Sequence, residues 1–334
     1  MKLEKLFEKL EIKKDDFRDL HITRMYSSFV AVSEGKVIKM TEPFLEYCPL
    51  ANLLYHYIEK FDSRAIKESI KEAVEEKISD FGYFTAEREL SRKNIAIPYG
   101  ASEMLMYALK KKEIDSAVVV CDGAGTVITD KPDIVQGIGA RMNGLFYTTP
   151  IDKLIKNLER NNCYVVFPET ADINQISGLE KAAELGYKKI AVTINGYMGD
   201  DLARIKELEK KYNISVTSLA VCTTCIDEKR IKKIKEHADL VWSCASGSIR
   251  EIIGKKAILQ VSIGIPVFVL TKKGLDFISS YSSNKKVFRD LNIKKQYLLS
   301  GNHKGKRINM GKFDSYLTEA KLPVRSEKEP RPLT

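Results

Sequence analysis

Residues 115–144 read DSAVVVCDGAGTVITDKPDIVQGIGARMNG, and this stretch decides the fold. The apolar, β-branched run from Ala117 to Val120 predicts a buried strand that ends in Cys121-Asp122-Gly123-Ala124-Gly125-Thr126. A thiol, a carboxylate and glycines at the carboxyl end of a buried strand are typical of an open α/β sheet, which binds its ligand at that edge. The stretch therefore predicts a fold class and the position of a site.

Similar apolar runs recur along the chain, and a helical pattern precedes most of them. Because these runs are continuous and do not alternate with polar residues, they indicate a sheet that is covered on both faces. The alternation of helices and strands favours a parallel strand order. We therefore predict a doubly wound, mostly parallel α/β sheet with strands at 117–121, 164–167, 189–194, 214–221, 239–243 and 267–270.

The N-terminal part of the chain has a different pattern. It contains a predicted hairpin, 29–32 with 36–40, and two predicted helices near 51–60 and 63–79. The sequence thus predicts three parts: a small α+β module at 1–97, which includes the Cys48 loop, a Rossmann-like α/β domain at 98–280, and a basic, loop-rich C-terminal extension at 281–334.

The composition is that of a globular protein, with 44% hydrophobic and 30% charged residues. No apolar run approaches the ~20 residues that a membrane helix needs. The charged, amphipathic N-terminus lacks the apolar core of a signal peptide. These features predict a cytoplasmic protein without a membrane segment.

The net charge of +10 is concentrated near the C-terminus, where residues 285–312 hold nine Lys or Arg against a single acid, Asp290. The rest of the chain is nearly neutral, so nucleic-acid binding by the whole fold is not indicated. The segment 285–312 predicts contact with an acidic protein or a small anionic ligand. The alternative is a solvated, lysine-rich surface.

The cysteines are the most informative candidate residues. Cys121, the pair Cys222 and Cys225, and Cys244 follow three predicted strands, and parallel strands end at one edge of a sheet. Four thiols at one edge suit zinc or an iron–sulfur cluster, and Cys48, in a loop, is a candidate fifth ligand. Two alternatives remain open. The cysteines could be ordinary buried residues, as we expect for Cys163, or Cys222-x-x-Cys225 could be a dithiol whose pKa a helix N-terminus lowers.

Glycines and carboxylates near the same edge suggest a second kind of site. The backbone around Gly123, Gly125 and Thr126, and around Gly137 and Gly139, could approach an anion, although tight turns explain these glycines equally well. Asp122 and Glu169 are candidate acid–base residues, with helix capping as the alternative.

Several short motifs carry a family resemblance: Glu46-Tyr47-Cys48-Pro49-Leu50, Asp80-Phe81-Gly82, Val119 to Val127, Val135 to Gly139, and Thr148-Thr149-Pro150. Through them, residues from about 25 to 280 resemble the methanogenesis marker protein 8 family. That family occurs in methanogenic archaea, with relatives in some anaerobic bacteria, and its biochemical activity is not established. The resemblance implies an oxygen-poor setting and a link to methyl-coenzyme M reductase or its cofactors. It implies no catalytic residue, and it does not extend to the basic segment.

Two functional hypotheses follow. The first is a cysteine-ligated metal, iron–sulfur or redox protein that acts in anaerobic one-carbon metabolism or cofactor assembly. The second is a non-catalytic protein that binds a small anion or assembles with an acidic partner through its basic tail. The sequence does not decide whether the protein is an enzyme.

Overall fold

The computed structural model describes residues 3–50, 63–94, 97–199 and 202–334. The helix predicted near 51–60 lies outside these residues. Two sheets organise the described chain, a small antiparallel one and a large mixed one.

The small sheet has four strands in the order β3-β2-β1-β6, and all of its pairs are antiparallel. Its strands are β1 (His21–Met25), β2 (Ser28–Ser33), β3 (Lys36–Met40) and β6 (Gly144–Thr148). The predicted hairpin is confirmed as β2 and β3. The described residues of this part form two helices, α1 (Leu3–Leu10) and α2 (Ser63–Phe81), together with a short 3-10 turn at Lys14–Asp16.

The large sheet has eleven strands in the order β14-β15-β13-β11-β12-β10-β9-β8-β4-β5-β7. The first six in chain order are β4 (Ser116–Cys121), β5 (Gly125–Thr129), β7 (Tyr164–Val165), β8 (Lys189–Asn195), β9 (Ser215–Val221) and β10 (Leu240–Trp242). The last five are β11 (Leu259–Val261), β12 (Val267–Val269), β13 (Tyr297–Ser300), β14 (Lys306–Met310) and β15 (Phe313–Glu319).

The large sheet is mixed, so the prediction of a mostly parallel sheet is wrong. β4, β8, β9 and β10 are parallel neighbours, as predicted, and β11 is parallel to β13. The other pairs in the sheet are antiparallel. Short connections explain the antiparallel pairs β4–β5, β11–β12 and β14–β15, because a parallel pair needs a crossover of about a dozen residues. Only Asp122 to Ala124 separate β4 from β5, so these strands form a hairpin.

Helices cover both faces of the large sheet, which leaves its central strands buried. One face packs against α3 (Ala101–Lys110), α4 (Pro132–Gly139), α5 (Asp152–Arg160) and α9 (Lys272–Ser279). The other packs against α6 (Gln175–Glu184), α7 (Ala203–Tyr212) and α8 (Glu228–His237). Val118 and Val119 point to opposite faces and belong to different core clusters. The continuous apolar runs follow from this double burial.

Between β10 and β11 the chain forms a π-helical segment, Ile249–Ile253, followed by a 3-10 turn, Gly254–Lys256. Further along, a short helix α10 (Lys285–Arg289) precedes β13. Among the described residues, no helix combines the length and the apolar character needed to cross a bilayer.

The C-terminal extension is not the loop-rich segment that the sequence predicted. β13, β14 and β15 continue the large sheet through pairing with β11. The division at 97/98 and 280/281 stays a prediction, but strand pairs cross both boundaries. β6 completes the small sheet from beyond the first boundary, and β13 joins the large sheet from beyond the second.

Candidate functional site

A pocket of about 330 Å³ lies between the large sheet and the small sheet. Its floor is the carboxyl edge of the four parallel strands, which contribute Val119, Val120, Thr193, Asn195, Val221, Cys222, Trp242 and Cys244. The turn between β1 and β2, residues 24–27, and the start of β6 form the opposite wall. The predicted position of the site, at the carboxyl ends of the strands, therefore coincides with a pocket.

The pocket brings together three of the five cysteines that the sequence proposed as ligands. Cys222 and Cys244 follow the ends of neighbouring parallel strands, and Cys48 reaches the pocket from its loop. Cys222 and Cys244 both have a left-handed backbone, with φ of 57° and 45°. Such a conformation is uncommon for a non-glycine residue.

Burial and the neighbouring Cys244 raise the pKa of the Cys222 thiol to about 12. The dithiol interpretation needs the opposite shift, a lowered pKa at the first thiol of the Cys-x-x-Cys pair. Cys225, the second thiol, is exposed and does not line the pocket. Desolvation of the thiolate thus opposes the predicted lowering of the Cys222 pKa by a helix N-terminus.

Cys121 is also absent from the pocket lining. It is fully buried, and its thiol donates to the Asp122 carbonyl at 3.4 Å. Burial raises its pKa well above the usual range. Cys121 ends β4 and Cys222 follows β9. Because β8 lies between these two strands, they are two strand spacings of about 4.8 Å apart.

A metal centre shared by Cys121, Cys222, Cys225 and Cys244 is consequently not supported. Within 3–50, 63–94, 97–199 and 202–334, no group of three or more His, Cys, Asp or Glu side chains is arranged to hold a metal ion. Cys163 precedes β7 and contacts Thr129 Oγ1 at 3.3 Å, at the opposite edge of the sheet.

Asp122, a candidate acid or base, is instead the centre of a buried ion pair. Its carboxylate is fully buried and accepts from Arg88 Nε at 3.1 Å and from the Phe84 amide at 2.6 Å. Arg88 also donates to the carbonyls of Gly137 and Ile138, both at 3.0 Å. Asp122 therefore joins the loop after α2 to the large sheet. Glu169 is exposed in a turn that follows the edge strand β7.

The glycines proposed for anion binding serve close packing. Gly125 has φ of +66°, and a Cβ there would lie 2.2 Å from the Ala171 carbonyl oxygen. A Cβ on Gly137 would lie 1.9 Å from the Leu90 carbonyl oxygen. Gly123 belongs to the β4–β5 hairpin turn, and Gly139 faces Ser102 on α3. Thr126 is buried and donates to the Asp172 carbonyl at 3.1 Å. Gly123, Gly125 and Thr126 thus belong to a hairpin and not to a loop that leads into a helix. Gly137 and Gly139 lie in α4, and Gly139 also lines the pocket.

The charged side chains of the pocket were not predicted from the sequence. Arg24, Arg141 and the buried Glu103 all line it. Glu103 accepts from Gln136 Nε2 and from Ser102 Oγ, both at 3.0 Å. Arg141 lies within the stretch that decided the fold, but a single arginine between neutral residues gives no periodic or spacing signal. Only the folded structure shows that Arg141 lines the pocket.

Comparison with known proteins identifies a family that covers the part of the chain that forms the pocket. A family described as an uncharacterized protein conserved in archaea, DUF2099, matches residues 21–282. The chain belongs to this family. The matched residues include every pocket-lining residue except Pro330, so the pocket lies within the region that defines the DUF2099 family.

A relative in Methanocaldococcus jannaschii is similar to this DUF2099 member over most of both chains. The two are 41% identical over 249 residues, which is 75% of this chain and 85% of the relative. The relative is named uncharacterized protein MJ0054. The comparisons therefore establish an archaeal family without an assigned activity.

Proposed function

We propose that this protein binds a small organic molecule in the pocket between its two sheets. The observation that carries the proposal is the pocket's position at the carboxyl ends of β4, β8, β9 and β10. Open α/β sheets bind their ligands in the crevice outside these ends. The volume of about 330 Å³ suits a metabolite-sized molecule.

The lining of the pocket also supports a small organic ligand. Apolar side chains form most of the walls, among them Val135, Ile138, Leu145 and Ile265. Polar groups are few, and they include the side chain of Asn195, which is held by its own contacts to the Leu145 carbonyl and the Tyr197 amide. An apolar cavity with a small number of fixed polar groups is the usual composition of such sites.

The neutral fluorescent probe N-phenylnaphthylamine tests the proposal, because its emission rises in apolar surroundings. We expect saturable binding of one probe per chain. Ala101→Trp, at the pocket wall, should abolish binding, whereas Leu185→Trp, at an exposed position, should leave it unchanged. Binding that persists in a folded Ala101→Trp variant, or no binding to the wild type, contradicts the proposal.

Alkylation of the thiols gives a second measurement that needs no variant. Bound probe should slow the modification of Cys48 and Cys244, which line the pocket, and should not affect the exposed Cys225. Mass spectrometry of the peptides reports each rate. Equal rates with and without the probe would mean that the probe binds elsewhere.

A thiol-ligated metal ion or iron–sulfur cluster is the second candidate. Its support is that Cys48, Cys222 and Cys244 line one pocket, and soft metals select thiolate ligands. The three thiols are not arranged as a ligand group in this structure, so this candidate ranks below the first. Together with the resemblance to the methanogenesis marker protein 8 family, this candidate predicts a redox or cofactor role in anaerobic one-carbon metabolism.

Metal analysis of anaerobically purified protein separates the two candidates. If the pocket holds a metal, Cys222→Ser and Cys244→Ser should each lose it, and Cys163→Ser, outside the pocket, should retain it. Wild-type protein without stoichiometric zinc or iron would remove the second candidate and leave the first.

A further inference from the structure

The charge balance of the pocket points to the chemistry of its ligand. Two arginines, Arg24 and Arg141, and one carboxylate, Glu103, line the pocket. In the part of the chain that the structure describes, neither arginine forms an ion pair with a carboxylate. Arg24 is held by other contacts. It donates to the carbonyls of Thr224 and Ser27 at 3.0 and 3.3 Å, and its guanidinium packs against the Tyr197 ring.

Arg141 is less well satisfied than Arg24. Its guanidinium lies 4.9 Å from the centre of the Phe81 ring. Its Nε atom is buried and has no hydrogen-bond partner among the described residues. A buried donor without a partner is destabilising, so such a group usually has a partner that completes it. The planar guanidinium matches a carboxylate, sulfonate or phosphate, to which it can donate two parallel hydrogen bonds.

Two further cations lie next to Arg141. Lys77 and Arg88 are both buried, and the Lys77 amine donates to the side-chain oxygen of Asn143, a residue of the pocket wall. The buried carboxylate that faces this group is Asp122, which pairs with Arg88. Burial, Arg141 and Arg88 together lower the pKa of Lys77 to about 7, against the opposing effect of Asp122 and Glu76. This side of the pocket therefore carries an excess of positive charge.

We propose that the ligand is an organic anion, and that Arg141 binds its compact anionic group while the apolar part occupies the rest of the pocket. The proposal rests on the proposed function. Lys77 does not line the pocket but donates to Asn143, which does. Its positive charge therefore favours an anion at the subsite without direct contact. The apolar part of the ligand faces the valine and isoleucine side chains of the strand ends and of α4.

A pair of probes of one shape and different charge tests this inference. Anilinonaphthalene sulfonate is the anionic counterpart of N-phenylnaphthylamine. We expect the wild type to bind the sulfonate more tightly, and Arg141→Gln to weaken sulfonate binding about tenfold with little change for the neutral probe. Arg92→Gln is the matched control, since Arg92 lies over the same Phe81 ring but pairs with Glu89 and is not part of the pocket wall.

The dependence of binding on pH provides a second measurement on the wild type. A bound anion stabilises the charged form of Lys77, so its pKa rises and a proton is taken up on binding. Affinity for the sulfonate should therefore increase as the pH falls from about 8 to about 6, through the Lys77 pKa of about 7. The neutral probe should lack this dependence, and so should the sulfonate in Lys77→Met.

The outcomes separate the two proposals. Failure of the neutral probe to bind the wild type overturns the proposed function. Binding of the neutral probe, with equal affinity for the sulfonate or with no loss in Arg141→Gln, overturns the anion subsite alone. If Arg141→Gln does not unfold cooperatively, the pH series on the wild type tests the anion subsite in its place. A sulfonate affinity that does not change between about pH 8 and about pH 6 also overturns the subsite.

Discussion

Asp122 illustrates how a polar residue at a strand end can be structural. It lies at the carboxyl edge of the sheet, where catalytic residues are common, but both of its oxygens are engaged by Arg88 and by the Phe84 amide. Arg88 is itself enclosed, with its guanidinium 3.5 Å from the centre of the Tyr83 ring. The Asp122 carboxylate raises the pKa of Arg88 against the effect of burial, so the guanidinium stays charged.

We predict that Asp122→Asn lowers the free energy of unfolding by about 3–5 kcal/mol, because it leaves the buried Arg88 without a counter-charge. Urea unfolding, with equal slopes for variant and wild type, is the measurement. Glu169→Gln is the control and should change stability by less than about 0.5 kcal/mol, since Glu169 is exposed. An Asp122→Asn variant as stable as the wild type would contradict the structural role.

At the scale of elements, α4 approaches its neighbours more closely than a helix with side chains at every position could. Gly137 faces the Leu90 carbonyl, and Gly139 faces Ser102 at the start of α3. The close approach also lets Arg88 reach the carbonyls at the end of α4. These glycines therefore place α4, and with it the pocket wall that ends in Arg141.

We predict that Gly137→Ala destabilises the protein by about 3 kcal/mol or more, because the added methyl group meets backbone that cannot rotate away. Gly301→Ala is the matched control. Nothing lies within 4 Å of a Cβ at Gly301, so that substitution should be nearly neutral in thermal unfolding. If both variants unfold at the wild-type temperature, the packing role of Gly137 is wrong.

At the scale of the whole molecule, the basic segment 285–312 is part of the large sheet and is partly neutralised. Lys285 and Arg289 contact Glu113, Lys295 contacts Glu319, and Arg307 contacts Asp314. The remaining basic residues form no ion pair with the described residues, and three of them are the exposed Lys304, Lys306 and Lys312. Exposed ion pairs contribute little to stability. We propose that this surface contacts an acidic partner.

We predict weak binding of poly-glutamate by this surface at low salt, with affinity that falls steeply as the Debye length shrinks to about 10 Å at 0.1 M. Changing Lys304, Lys306 and Lys312 to glutamine should abolish the binding. The control changes the exposed Lys229, Lys232 and Lys235 of α8. An equal loss in the control would indicate a general effect of net charge, and the surface would then be an ordinary solvated one.

The sequence by itself determined the parallel centre of the fold. The apolar runs of β4, β8, β9 and β10 and the helical periods between them depend on neighbouring residues alone, so they can be read locally. The same patterns placed polar and thiol groups at the carboxyl edge. They also predicted that a site would lie there, because parallel strands end at the same edge of a sheet in any strand order.

The tertiary structure alone decided which of these groups meet. Strand order separated Cys121 from Cys222, and a three-residue connection turned the glycine loop into a hairpin. Arg88 pairs with Asp122 across 34 positions, and Lys77 reaches Asn143 across 66. Such contacts are set by packing between distant segments, which hydrophobic period and local propensity do not encode. The charge of the pocket therefore became apparent only when Lys77, Arg88 and Arg141 were brought together.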